Sequence, residues 1–227
     1  MAKKKRITRK ELLKEPDEFY THSSILFRYI LEHKKEFIYG LCAVFALAVI
    51  ISGIRFFSNR AETKAFAMLD LAVVKYQALA QKKDLKEALK EAEADFEKIV
   101  DIYSGKEGGK IARLTYANIC QRAGEFDKAI TLYNRSLKDF KDEPFIKRLT
   151  IKGLAYSHEA KKDYQTAIQY FDMLASGSDA DPKDEILFHL GVIYAEMGDA
   201  QKSKEAFDKI IANYPGSMYV EMIKEMT

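Results

Sequence analysis

The chain of 227 residues contains no tryptophan, two cysteines, four prolines and eleven glycines. Sheet proteins with many short strands need glycine and proline in their turns, so this composition argues against a sheet fold. The two cysteines, Cys42 and Cys120, are too few for a disulfide framework or a zinc site. Because 48% of the residues are hydrophobic, the chain can form a folded core and is not of the disordered class. The scarcity of turn residues therefore favours a helical protein.

Positive charge is concentrated near the N-terminus. The net charge at pH 7 is +3, but residues 1–60 contain 12 Lys and Arg against 6 Asp and Glu, whereas residues 61–227 contain 25 against 28. A body that binds nucleic acid would carry the basic excess itself. We therefore expect no nucleic-acid partner, and we expect the basic N-terminal segment to have a separate role.

A long uncharged segment follows the basic one. Residues 37–54 read FIYGLCAVFALAVIISGI, and the stretch extended to residue 57 is about 31 Å long as a helix, which matches the hydrocarbon core of a bilayer. A buried core helix is the alternative, but soluble core helices rarely stay uncharged for five turns. A cleaved signal peptide is disfavoured because 36 residues precede the segment and no small-x-small site follows it at the right distance. The sequence therefore predicts a single transmembrane helix over residues 37–57.

The distribution of basic residues predicts the orientation of this helix. Residues 1–36 contain ten Lys and Arg, and residues 55–75 contain four. By the positive-inside rule, the N-terminus is cytoplasmic and residues 61–227 lie across the membrane, which in a bacterium means the inner (cytoplasmic) membrane and the periplasm. The tail is also expected to contact membrane lipids, through the basic run KKKRITRK and a short amphipathic juxtamembrane helix that contains Ile25, Leu26, Tyr29, Ile30 and His33.

The rest of the chain repeats itself. Segments 110–143, 148–181 and 184–217 are each 34 residues long and place similar residues at matching positions. Each has a small residue in the first helix, a turn-like pair, and then a small and an aromatic residue in the second helix. The small residues of the first helix are Ala117, Ala155 and Gly191, and the turn-like pairs are Gly124-Glu125, Lys162-Asp163 and Gly198-Asp199. In the second helix the small residues are Ala129, Ala167 and Ser203, and the aromatic residues are Tyr133, Phe171 and Phe207. Prolines mark the ends of the segments (Pro144, Pro182 and Pro215).

These segments resemble the tetratricopeptide repeat, a helix–turn–helix unit whose copies stack into an α-solenoid. The resemblance implies an all-α repeat domain, so together with the predicted span the chain is expected to have a single N-terminal transmembrane helix followed by the repeats. The large aromatic residue usual early in the first helix is replaced here by Arg113, Ile151 and Leu187.

A weaker helix pair over residues 61–103 precedes the clear repeats. Its first helix, over residues 61–82, places Phe66, Leu69, Val73, Tyr76 and Ala80 on one stripe. We expect this pair and the final YVEMIKEM to cap the two ends of a repeat domain that spans residues 61–227.

The sequence contains no nucleophile motif, phosphate-binding loop or metal-ligand cluster. The four histidines are scattered, with no second ligand three or four residues away. Glu87, Glu91 and Asp95 pair with neighbouring lysines on a solvated helix face, and Cys120 is interpreted as a small core residue. We therefore expect a non-enzymatic protein with no cofactor, no metal and no small-molecule substrate.

The tetratricopeptide resemblance places a binding groove on the first helices of the repeats. Transferred position by position, its lining is Leu114, Asn118, Gln121 and Arg122 in the first clear repeat, Lys152, Tyr156 and Glu159 in the second, and Phe188, Val192 and Glu196 in the third. This mixture of apolar and polar side chains suits an extended or helical peptide. Leu114 stands where some relatives have a lysine that helps to hold a peptide's C-terminal carboxylate, so that mode of binding is not expected.

The whole arrangement, with the segments AEADFEKIVDIY and NYPGSMY, resembles the bacterial family of ancillary subunits of the Sec translocon. That family has one N-terminal anchor and a periplasmic tetratricopeptide-like domain. The resemblance implies protein partners, namely translocon subunits, periplasmic chaperones or exported polypeptides, and a role in protein export. The alternative is a scaffold of the cell envelope or division machinery that coordinates one or two specific partners. The sequence does not distinguish these two functions.

Overall fold

Helices make up all the regular structure in the part of the chain that the computed structural model describes, residues 27–177 and 183–226. A short helical stretch over residues 27–32 precedes the first long helix. The helices that follow are α1 Lys34–Ala80, α2 Leu85–Ile102, α3 Glu107–Arg122, α4 Phe126–Asp139, α5 Pro144–Ala160, α6 Tyr164–Ala175, α7 Lys183–Glu196, α8 Ala200–Asn213 and α9 Tyr219–Met226. The expected basic tail up to Leu26, and the predicted end of a repeat at Pro182, lie outside the described residues.

The chain divides after Ser58 into two units, and the first unit carries the predicted transmembrane segment. None of the residues in the most apolar stretch of α1 is buried, and Phe45 and Ile54 are largely exposed. A core helix of a soluble protein would be mostly buried, so this exposure argues against that alternative. By length and composition, α1 is a candidate membrane span.

The second unit begins inside the same helix. The sequence predicted a helix over residues 61–82, and the structure has residues 59–80 as the continuation of α1 rather than as a separate element. No glycine or proline occurs between Gly53 and Gly105, so no helix-breaking residue separates the apolar segment from the start of the repeat domain. The apolar stretch and the start of the repeat domain therefore share one uninterrupted helix.

The stripe predicted for this part of α1 is largely correct. Leu69 and Tyr76 are buried, and Val73 is partly buried against the same core. Phe66 differs from the prediction, because it is exposed while the neighbouring Ala65 takes the inner position. The helix therefore packs more closely than a stripe of large residues would allow.

Three helix pairs, α3–α4, α5–α6 and α7–α8, form the predicted repeats. Between the two helices of each pair the backbone takes a positive φ, at Gly124 (78°), Lys162 (62°) and Gly198 (80°). All the small and aromatic positions that the repeats share are buried: Ala117, Ala155, Gly191, Ala129, Ala167, Ser203, Tyr133, Phe171 and Phe207. A Cβ on Gly191 would lie 2.4 Å from Cε1 of Phe207, so this close helix contact requires glycine. The predicted α-solenoid of helix–turn–helix repeats is confirmed.

The positions that depart from the repeat pattern also lie inside the domain. Arg113 and Ile151 are buried, and Leu187 is partly buried against the third core cluster. Arg113 forms an ion pair with Asp139 of α4. The first repeat therefore encloses a charge pair where its relatives have an aromatic ring.

Replacing Lys162 by glycine is expected to raise the free energy of unfolding by up to about 1 kcal/mol. A side chain with a Cβ adopts a left-handed φ at a cost of about 1–2 kcal/mol, and the greater freedom of glycine in the unfolded chain offsets part of the gain. Urea unfolding of the full chain in detergent, followed by circular dichroism, measures the change. The reverse substitutions Gly124→Lys and Gly198→Lys should destabilise, and a Lys162→Gly variant less stable than the parent would contradict the explanation.

Candidate partner-binding face

The ten residues predicted to line a groove lie on α3, α5 and α7, the first helices of the three repeats. We call the side of these helices that carries the predicted residues the A-helix face. Two contacts join α5 to α7: Lys152 with Glu185, and Glu159 with His189. The contacts come in the same order along both helices, so α5 and α7 run in the same direction. These two helices of the face are therefore parallel neighbours.

On α3, some of the predicted residues are exposed and others make hydrogen bonds within the domain. Asn118 and Arg122 are exposed, while Leu114 is partly buried against the core. The Tyr133 hydroxyl of α4 donates to Asn118 Oδ1 at 2.6 Å and to Gln121 Oε1 at 3.1 Å. Gln121 also donates through Nε2 to the backbone oxygen of Gly153 at 3.0 Å, so its amide connects α3 to α5.

On α5, the predicted polar residues bond to α7. Lys152 Nζ lies 2.7 Å from a Glu185 carboxylate oxygen, and the Tyr156 hydroxyl donates to the other oxygen of the same carboxylate. His189 Nδ1 lies 2.9 Å from a carboxylate oxygen of Glu159. These bonds fix the spacing between two successive helices of the face.

The electrostatics of this cluster centre on the Glu185 carboxylate. Burial raises the pKa of Glu185, but the hydrogen bonds from Lys152 and Tyr156 outweigh burial and hold that pKa below its ordinary value. The pKa of Tyr156 is raised, first by burial and then by its hydrogen bond to Glu185. At neutral pH the phenol is therefore a hydrogen-bond donor and the carboxylate is paired with the Lys152 ammonium.

On α7, Phe188 belongs to the core rather than to the surface. It is only 8% exposed, because its ring stacks on Tyr219 of α9 at a centroid distance of 4.5 Å and also packs near Phe207 at 6.1 Å. Val192 is partly buried, and Glu196 is exposed beside the Tyr164 hydroxyl at 3.4 Å. The sequence could not show that a residue beyond the repeats would cover Phe188.

Two apolar residues of the same face were missed in the sequence. Phe145 is 65% exposed and Leu149 is 47% exposed, and both precede Lys152 on α5. Their spacing of seven and three residues from Lys152 puts them on the same side of the helix. That spacing was visible in the sequence and could have identified them.

A separate cleft of about 650 Å³ lies at the C-terminal end of the domain. It is lined by the end of α7 and by α8 and α9, including Phe207, Ile211 and Met226. None of the ten predicted residues lines it. Among the described residues, no group of three or more His, Cys, Asp or Glu side chains is placed to hold a metal ion.

Comparison with known proteins identifies the class of this fold. The family model described as a tetratricopeptide repeat-like domain matches residues 35–225. The chain therefore belongs to the tetratricopeptide repeat-like domain family. Domains of this family are protein–protein interaction modules and are generally non-catalytic. A search of curated proteins finds no significant match.

Two solved structures share the fold. A tetratricopeptide repeat protein from Parabacteroides merdae is 16% identical with a TM-score of 0.52, over 67% of this chain and 56% of that chain. The kinesin light chain TPR-like repeats of Podosopora anserina are 15% identical with a TM-score of 0.52, over 69% of this chain and 78% of that chain. This chain thus spans little more than half of the Parabacteroides protein. At these identities the likeness shows the fold alone.

Proposed function

We propose that this protein is a membrane-anchored interaction module that binds a polypeptide segment on its A-helix face during protein export. The observation that carries the proposal is the exposed apolar pair Phe145 and Leu149, on the same helix side as Lys152 and Tyr156. Two large apolar side chains on one side of a domain helix gain free energy when a partner covers them. The bonds between α5 and α7 keep that surface in place before binding.

The chemistry of the face specifies the kind of partner. Apolar side chains of the partner would cover Phe145 and Leu149, and because both are already partly buried each would contribute less than the roughly 1.5–3 kcal/mol of a fully exposed side chain. The exposed Asn118 and Arg122 of α3 supply an amide and a guanidinium for the partner's backbone carbonyls or an acidic side chain. An extended or helical segment with alternating apolar and polar groups fits this description.

The export role rests on the candidate span and on the sequence resemblance to ancillary translocon subunits. Ten basic residues precede the span, whereas residues 55–75, at and just after its end, contain four, which favours an N-terminus in the cytoplasm and a repeat domain in the periplasm. Polypeptides that leave the translocon, translocon subunits and periplasmic chaperones are the partners available at that location. An envelope or division scaffold would have the same anchor but one or two fixed partners.

Photocrosslinking from Leu149 tests the proposal. A photoreactive amino acid replaces Leu149 in the full chain, in living cells, and captured proteins are identified by mass spectrometry. Met173, which is also exposed but lies on the second helix α6, carries the same probe as the matched control. Exported polypeptides with translocon subunits support the export role, and one or two discrete envelope proteins would favour the scaffold. Capture no greater than at Met173 would overturn the assignment of the face.

The proposed orientation of the span predicts which cysteines a membrane-impermeant reagent can reach. In a Cys42→Ala background, a cysteine at Gly105, an exposed position with open space around it, should react with a membrane-impermeant maleimide in cells whose outer membrane alone is permeabilised. Cys120 is buried and should not react. An Ala2→Cys variant is the matched control and should react only after lysis. The opposite pattern would reverse the predicted topology.

A further inference from the structure

The part of α1 that belongs to the repeat domain is apolar on two opposite sides. Its inner side packs against the domain through four buried residues: Ala65, Leu69, Ala72 and Tyr76. The opposite side carries Ala67, Leu71, Val74 and Ala78, all exposed, with Leu71 69% and Val74 54% exposed. A helix at the surface of a domain normally turns a polar side to water, so a helix that is apolar on both sides indicates a second partner. We call the residues from Ala67 to Ala78 on this side the outer stripe.

The outer stripe has the spacing of a coiled-coil seam. Its apolar residues follow one another at intervals of four, three and four, which corresponds to positions d, a, d and a of a heptad. Lys64 precedes the stripe at the equivalent position, so the apolar seam covers little more than one heptad. A seam this short is marginal on its own and requires a high local concentration of partners.

The charges beside the outer stripe complement each other between two copies. Asp70 occupies the g position and Lys75 the following e position, and in a parallel pair these two positions face each other across the seam. Asp70 makes no hydrogen bond or ion pair within the described part of the chain. Lys75 Nζ lies 2.6 Å from Asp95, but both side chains are half-exposed, so a second carboxylate can approach the ammonium from the solvent side.

We propose that the outer stripe is a self-association surface, at which two copies of this chain pair in parallel and in register. The parallel direction rests on the proposed anchor, because two copies inserted the same way in one membrane share one orientation and the stripe follows the span in the sequence of both. Confinement to a membrane also supplies the local concentration that the short seam needs.

Disulfide crosslinking of the full chain in membrane vesicles tests this pairing. The background is Cys42→Ala; Cys120 is retained, because burial raises the pKa of its thiol to about 12 and keeps it unreactive. Leu71→Cys and Val74→Cys should each form covalent dimers under mild oxidation, at least about fivefold more than Lys98→Cys, an exposed control on α2. Dimer levels equal to the control, with all three thiols open to maleimide, would overturn the proposal.

A charge exchange tests the register. Asp70→Lys should lower crosslinking at Val74→Cys by about threefold or more, and adding Lys75→Asp should restore it. In an antiparallel pair the two exchanged residues would not face each other, so the double change would not restore crosslinking and would contradict the parallel register. Both readouts are independent of capture at Leu149, so loss of the proposed partner binding would leave them unchanged.

Discussion

Replacing Asp139 by alanine is expected to lower the free energy of unfolding by about 3 kcal/mol, the lower end of the range for breaking a buried ion pair. Asp139 is the carboxylate paired with Arg113, whose side chain is almost completely buried between α3 and α4. Arg113 Nε is already buried without a hydrogen-bond partner among the described residues. Removal of Asp139 would leave the guanidinium without its counter-charge and with further unsatisfied donors.

The control for this prediction removes both charges. Arg113→Met with Asp139→Ala replaces the pair by an apolar side chain of similar length, and we expect its free energy of unfolding to lie within about 1 kcal/mol of the parent. Urea unfolding of the full chain in detergent, followed by circular dichroism, compares the single and double variants. If the double variant is as unstable as Asp139→Ala, the loss comes from packing rather than from an unpaired charge.

Replacing Phe171 by alanine is expected to lower the free energy of unfolding by about 3–5 kcal/mol. The ring is fully buried, lies 5.6 Å from the Tyr156 ring and stacks on the His189 ring at 5.4 Å. It therefore joins α5, α6 and α7 in one core cluster that also contains Ile186 and Leu190. A cavity at this point weakens both the second repeat and its contact with the third.

Because each repeat of a solenoid contacts mainly its neighbours, the loss of stability should be confined to the helices near Phe171. Hydrogen exchange measured by mass spectrometry should become faster in α6 and α7 of the Phe171→Ala variant, and change little in α2 and α3. Met173→Ala, an exposed position on the same helix, is the matched control and should change stability by no more than about 0.5 kcal/mol. Uniform acceleration of exchange along the whole domain would instead indicate a single cooperative unit.

The repeated features of the sequence predicted the fold well, because each was present three times. The turn at Lys162 was predicted because Gly124 and Gly198 occupy the equivalent positions, and the structure adds that all three residues take a positive φ. The continuation of the candidate span into residues 59–80 was not predicted. A periodic pattern does not show whether two consecutive helical segments form one helix or two when no glycine or proline separates them.

The candidate face was harder to predict for a physical reason. Family positions specify where a side chain starts on a helix, but not what covers it. Phe188 is covered by Tyr219, which lies after the last repeat, and Gln121 is occupied by Tyr133 and by the backbone of Gly153. Leu149 stays exposed, since among the described residues none covers it in this way. Contacts between distant residues therefore decided which predicted positions remain free for a partner.

Loss of partner capture on changing the apolar pair tests the central claim most directly. A photoreactive amino acid at the exposed Arg122 reports binding to the A-helix face in the full chain in cells. Phe145→Ser with Leu149→Ser should lower capture by about tenfold or more, because two apolar contacts disappear. The double change should leave stability nearly unchanged, since both side chains are exposed, and Met173→Ser should leave capture unchanged. Capture that persists in the folded double variant would contradict the claim that the apolar pair Phe145 and Leu149 carries the binding.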